Sequence, residues 1–114
     1  MTAEAPATQP VAAIWLLRAE REYSEACKVD DLALDAQSAV KGLTTFMLGE
    51  ANAGRVDRDL ALQAVGAWLW AREEFRRSGE ARRLARAQLD RARRACLDVG
   101  IDPDDVPDDL DGAS

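Results

Sequence analysis

Six arginines fall between Glu80 and Gly100: Arg82, Arg83, Arg86, Arg91, Arg93 and Arg94. Guanidinium groups at this density can bind phosphate, because each contact with a nucleic-acid backbone releases counterions and adds affinity without reading sequence. Arg72, Arg76 and Arg77 extend the basic field toward the N-terminus. Counted at about 100° per residue, however, the six spread around the whole polar side of one helix, with Asp90 among them. No aromatic residue interleaves with them, which argues against a base-stacking platform. No helix-turn-helix signature of the repressor type is visible. A solvated face whose arginine stems cover apolar edges explains the pattern more simply. Nucleic-acid binding through Arg82, Arg83, Arg86, Arg93 and Arg94 is therefore the alternative functional expectation.

Other chemistry is sparse. The chain has no histidine, which removes the commonest general base and metal ligand. Nothing resembles Cys-x-x-Cys, paired Glu-x-x-His or a glycine-rich phosphate loop. Glu20, Glu22 and Glu25 share a helix but lie off its apolar arc, so they read as solvated carboxylates. Asp102 and Asp104 begin like a calcium loop, but Val106 and Pro107 stand where that loop needs an oxygen ligand and a glycine. Cys27 and Cys96 sit on apolar arcs and read as buried, inert thiols. The expectation is a non-enzymatic protein with no cofactor, no metal and no small-molecule substrate.

The elements that carry these residues are helical. In 114 residues the chain has room for one domain, and its alanine, leucine and arginine content with few β-branched residues favours an all-α class. Apolar periodicity predicts four helices at about 10–28, 31–53, 57–77 and 80–99. Asp30 or Asp31 and Asp57 serve as N-caps, and Gly54, Ser78–Gly79 and Gly100 as stops. The expected buried arc of the second helix is Leu32, Ala36, Ala39, Val40, Leu43, Phe46 and Met47; Gly42 and Gly49 lie near one line that would admit a close neighbour. Short connections favour antiparallel neighbours, so the expected architecture is a compact antiparallel bundle of four helices over 10–100. No heptad run long enough for an extended coiled coil stands out. A single helix through Ser78–Gly79 is the other reading; it would need a partner chain on the Trp70 face.

A flexible segment over 1–9 and an acidic, disordered tail over 101–114 flank the bundle. Within the tail, Asp102–Pro103 is placed to start a short turn, and Val106 and Leu110 to dock loosely. With seven aspartates after residue 97, this tail opposes the arginine-rich segment before it. The N-terminus lacks the basic leader of a secretory signal, and no apolar run reaches the ~20 residues that span a bilayer. A cytoplasmic protein with no membrane partner is expected.

Several apolar residues lie off the arcs that their helices bury, among them Ile14, Leu17, Leu34, Leu48 and Trp70. Trp70 points between Gln63 and Arg77, and tryptophan with arginine is enriched at interface hot spots. The favoured function is therefore a protein–protein interaction module. It binds a partner protein or itself, most simply as a homodimer, through Trp70, Gln63, Arg72, Arg77, Ile14 and Leu17. A small inhibitor protein of the phage type is a further alternative, on size and texture alone.

Overall fold

A computed structural model describes residues 8–107. It contains two long helices, α1 (Gln9–Asn52) and α2 (Arg58–Asp98), and one turn of 3-10 helix at Pro103–Asp105. The all-α class holds, but the bundle of four helices does not form: two helices replace four. The physical reason lies at the two expected breaks. No glycine or proline occurs between Pro10 and Gly42, so only Asp30 and Asp31 would stop α1, and a mid-helix aspartate costs no more than about 0.7 kcal/mol relative to alanine. Asp30 is not spent as a cap. The Ser78 hydroxyl lies 2.8 Å from Asp30 Oδ1 and 2.9 Å from the Phe75 carbonyl, sharing its proton between them. Ser78 is thereby satisfied inside α2, which continues through Gly79.

True ends occur where the backbone requires them. Gly54 and Gly100 have positive φ (77° and 83°), a region open to glycine at little cost. Each closes its helix in the same way. Arg55 N donates to the Glu50 carbonyl and Gly54 N to Ala51, while Ile101 N donates to Cys96 and Gly100 N to Leu97. This crossed pair satisfies the last free carbonyls. Asp57 caps α2, accepting from Asp59 N at 3.0 Å. Thr8 precedes α1, and its carbonyl accepts from Ala12 N at 2.9 Å.

The packing line of each helix follows a 3.5-residue period. On α1, Ala12, Leu16, Ala19, Tyr23, Ala26, Asp30, Ala33, Gln37, Val40, Thr44, Met47 and Ala51 succeed one another at steps of four and three, and all are buried or half-buried. On α2 the same holds for Ala61, Ala64, Trp68, Ala71, Phe75, Ser78, Arg82, Ala85, Leu89, Ala92 and Cys96. The heptad run missing from an apolar reading is thus present, with polar residues in it. Every seventh position is small from Ala12 through Ala19 and Ala26 to Ala33 on α1, before Val40 and Met47, and from Ala64 through Ala71, Ser78 and Ala85 to Ala92 on α2. Small side chains at a helix contact permit the short end of the interaxial range.

The chain divides into two compact units. The terminal unit comprises Met1–Ala26 and Arg82–Ser114, and its described part is antiparallel. Its core is Ala12, Leu16, Ala19, Leu89, Ala92 and Cys96, joined by Tyr23, Ala95, Val99, Ile101 and Val106. Gln9 Nε2 donates to the Val99 carbonyl at 3.0 Å, and Cys96 Sγ to the Ala12 carbonyl at 3.4 Å. Asp102 caps the 3-10 turn by accepting from Asp104 N, Pro103 is buried, and Arg93 reaches Asp104 at 3.2 Å. The first part of the acidic tail is therefore docked. Residues 1–7 and 108–114, including Leu110 and the rest of both expected tails, lie outside the described residues.

The turn unit, Cys27–Ala81, is an antiparallel hairpin with a thin interior. Its buried apolar residues are Ala61 and Ala71, and Thr44 and Ser78 are buried as well. The Thr44 hydroxyl donates to the Ala64 carbonyl at 2.9 Å. Among the described residues no helix is long and apolar enough to cross a membrane.

Candidate protein-interaction surface

A second line of side chains runs along α1, one residue before the packing line and about 100° around the helix from it. It also advances by fours and threes: Val11, Trp15, Arg18, Glu22, Glu25, Val29, Leu32, Ala36, Ala39, Leu43, Phe46, Glu50. In the terminal unit this line carries the exposed Val11 and Trp15 and then Arg18, Glu22 and Glu25. From Val29 to Phe46 it carries no charge, yet Val29 (54%), Leu32 (69%), Leu43 (58%) and Phe46 (59%) are exposed. Ala36 and Ala39 between them are exposed too. Most of the arc expected to be buried is therefore open. Only Val40 and Met47, which belong to the packing line, are half-buried. No side chain or backbone among the described residues comes within 4 Å of where a Cβ would stand at Gly42 or Gly49, so they do not supply the close neighbour expected there.

On α2, Gln63, Trp70 and Arg77 lie seven residues apart on one line and are exposed, Trp70 by 68%. Arg72 sits elsewhere, its guanidinium 5.5 Å from the centre of the Trp68 ring. Ile14 and Leu17 belong to the terminal unit, where Ile14 is half-buried and Leu17 buried. Leu34 and Leu48 are exposed on α1 of the turn unit. The Val29–Phe46 line was legible as an apolar arc; its exposure was not, because periodicity marks a face as apolar without saying which chain covers it.

Electrostatics along α2 are mostly internal. Arg76 bonds Glu73 at 2.7 Å and also Glu80, and Arg77 lies 3.4 Å from Glu73. The hydrogen bond from Arg76 holds the Glu73 carboxyl down at about 2. Arg86 pairs with Asp90 at 3.3 Å and stacks over Tyr23, and Arg93 binds Asp104. Arg82 is half-buried on the packing line and has its own partner. Arg83 and Arg94 are exposed. The arginines named for phosphate binding are thus distributed between helix interior, intrachain pairs and open surface.

Two grooves flank the turn unit's packing line. One, of about 230 Å³, is lined by Lys41, Thr44, Thr45, Leu48, Val65 and Trp68, and the buried Trp68 indole N–H finds no acceptor among the described residues. The other is lined by Gln37, Leu69, Arg72, Glu73, Phe75 and Arg76. Neither brings converging acids or a nucleophile together. Among the described residues no three Cys, Asp or Glu side chains gather as a metal site. Both cysteines are free thiols; burial pushes the Cys96 thiol up, whereas Cys27 is half-buried. No family model, curated protein or solved structure matches the chain.

Proposed function

We propose that this chain is a non-enzymatic protein–protein interaction module whose binding surface is the turn unit. The observation that carries the reading is the uncharged, exposed line Val29–Leu32–Ala36–Ala39–Leu43–Phe46, bounded on the same helix by Glu25 before it and Glu50 after it. Fully covering a leucine or phenylalanine contributes up to about 1.5–3 kcal/mol each, so leaving this line in water forfeits much of what the hairpin can gain from burial. Apolar patches of this kind mark interaction sites. Trp70, with Gln63 and Arg77 on its line, supplies a second anchor of the type found at hot spots. The intrachain pairing of Arg76, Arg77, Arg86 and Arg93 favours this reading over phosphate binding.

The test is site-specific photocrosslinking in the native host. A benzophenone side chain in place of Leu43 is expected to form a discrete protein adduct that Leu32→Glu abolishes. The same group at exposed Ala87, on the terminal unit, is expected to form none. No adduct at Leu43, or equal labelling at both positions, would contradict the proposal.

A further inference from the structure

The sizes along the open line read the same in both directions. Val29, Leu32 and Ala36 run large, large, small; Ala39, Leu43 and Phe46 run small, large, large. The midpoint lies between Gln37 and Ser38. A twofold axis there, with two copies of α1 antiparallel, sets Ala36 of one copy against Ala39 of the other, Leu32 against Leu43, and Val29 against Phe46. Each layer joins the two kinds of position in the three-four repeat, as antiparallel helices pack. The alanines fall at the crossing, where backbones come closest, and the bulky residues flank them. A twofold contact must be self-complementary in this way, residue i meeting j and j meeting i. An unrelated partner imposes no such symmetry.

The extent of the line also fits. Eighteen residues of helix cover about 25 Å. The next positions at the same spacing, Glu25 and Glu50, are charged and end the apolar run on both sides. At roughly 100 Å² of exposed surface for each of Val29, Leu32, Leu43 and Phe46, with the alanines and flanking side chains added, the contact buries on the order of 500 Å² per copy. Counting both copies gives about 1,000 Å², the lower bound for a biological interface and the size of a weak, reversible one.

We infer that the turn unit pairs with a second copy of this chain, α1 against α1 and antiparallel, through Val29, Leu32, Ala36, Ala39, Leu43 and Phe46. This rests on the interaction reading above and names its partner. In light scattering, the full chain rises with concentration from 12.4 kDa toward twice that mass, and Leu43→Glu keeps its helicity but stays monomeric. Register is read by mixing two full-length chains, both carrying Cys27→Ser and Cys96→Ala, one with Leu32→Cys and the other with Leu43→Cys. Mild oxidation yields the mixed disulfide several-fold over either self-linked product. Self-linking of Leu32→Cys alone, or no linking, overturns the antiparallel register. A strictly monomeric wild-type chain overturns the pairing altogether. In that case a benzophenone adduct to another protein at Leu43 leaves the interaction reading standing, and the absence of any adduct ends both.

Discussion

The terminal unit and the turn unit are built from the same two helices on the same spacing, yet they solve burial differently. The terminal unit places Leu16, Leu89 and Cys96 on its packing lines and closes them with Ile101, Pro103 and Val106 from the docked tail. The turn unit's packing lines hold Val40, Met47, Trp68 and Phe75 only half-buried, among Asp30, Gln37, Thr44, Ser78 and small residues, and of the fourteen large exposed apolar residues among the described ones, ten belong to it. The difference teaches that a shared helix need not share a role along its length. One half is finished by its own chain; the other, on the function proposed above, is finished by contact.

The sharpest way to break this comparison is a pair of truncations. Leu16→Ala, at a fully buried site, should cost about 2–5 kcal/mol. Leu43→Ala in dilute solution should stay within about 0.5 kcal/mol. Urea unfolding measures both, and equal losses would erase the distinction. Next in size is Ser78→Ala, which removes the hydroxyl held between Asp30 and Phe75. A loss of about 1–3 kcal/mol is expected, and a neutral result would mean that water replaces the serine there.

The thiols sharpen the contrast kinetically. With a thiol reagent under native conditions Cys27 should react first, while Cys96, buried and with its thiol pushed up, should wait for unfolding of the terminal unit; simultaneous labelling would contradict that. The smallest effect concerns Glu73. Because its carboxyl is held down at about 2 from an ordinary value of 4.5, any stability it adds is present above 4.5 and disappears as pH falls through about 2. The group is solvent-facing, so the change in stability is slight. The titration itself, followed by carboxyl NMR, should return toward the ordinary range in Arg76→Gln.

Much of the local punctuation was legible in the sequence. Gly54, Asp57 and Gly100 act where their types predict, because positive φ and side-chain capping are local demands. So is the turn at Asp102–Pro103 with Val106 docked. The number of helices was not legible. Asp30–Asp31 and Ser78–Gly79 look like stops in isolation and become interior positions once Ser78 bonds Asp30 across the hairpin. The packing lines were hidden by the polar residues in them, namely Asp30, Gln37, Thr44, Ser78 and Arg82. A 3.6-residue wheel also drifts about 20° per heptad from a 3.5-residue line. On the candidate surface, the arc from Leu32 to Phe46 was readable and its exposure was not, since burial depends on what the opposite helix presents.

Hydrogen exchange at two protein concentrations tests the central claim most directly. A helix whose apolar line is uncovered opens at lower free energy than one with a closed core, and a contact made only by the folded state raises that free energy by mass action. Amides of residues 29–46 should therefore gain protection as concentration rises, while those around Leu16, Leu89 and Cys96 stay constant. Protection of 29–46 that is already high in dilute solution and does not change with concentration would contradict the account.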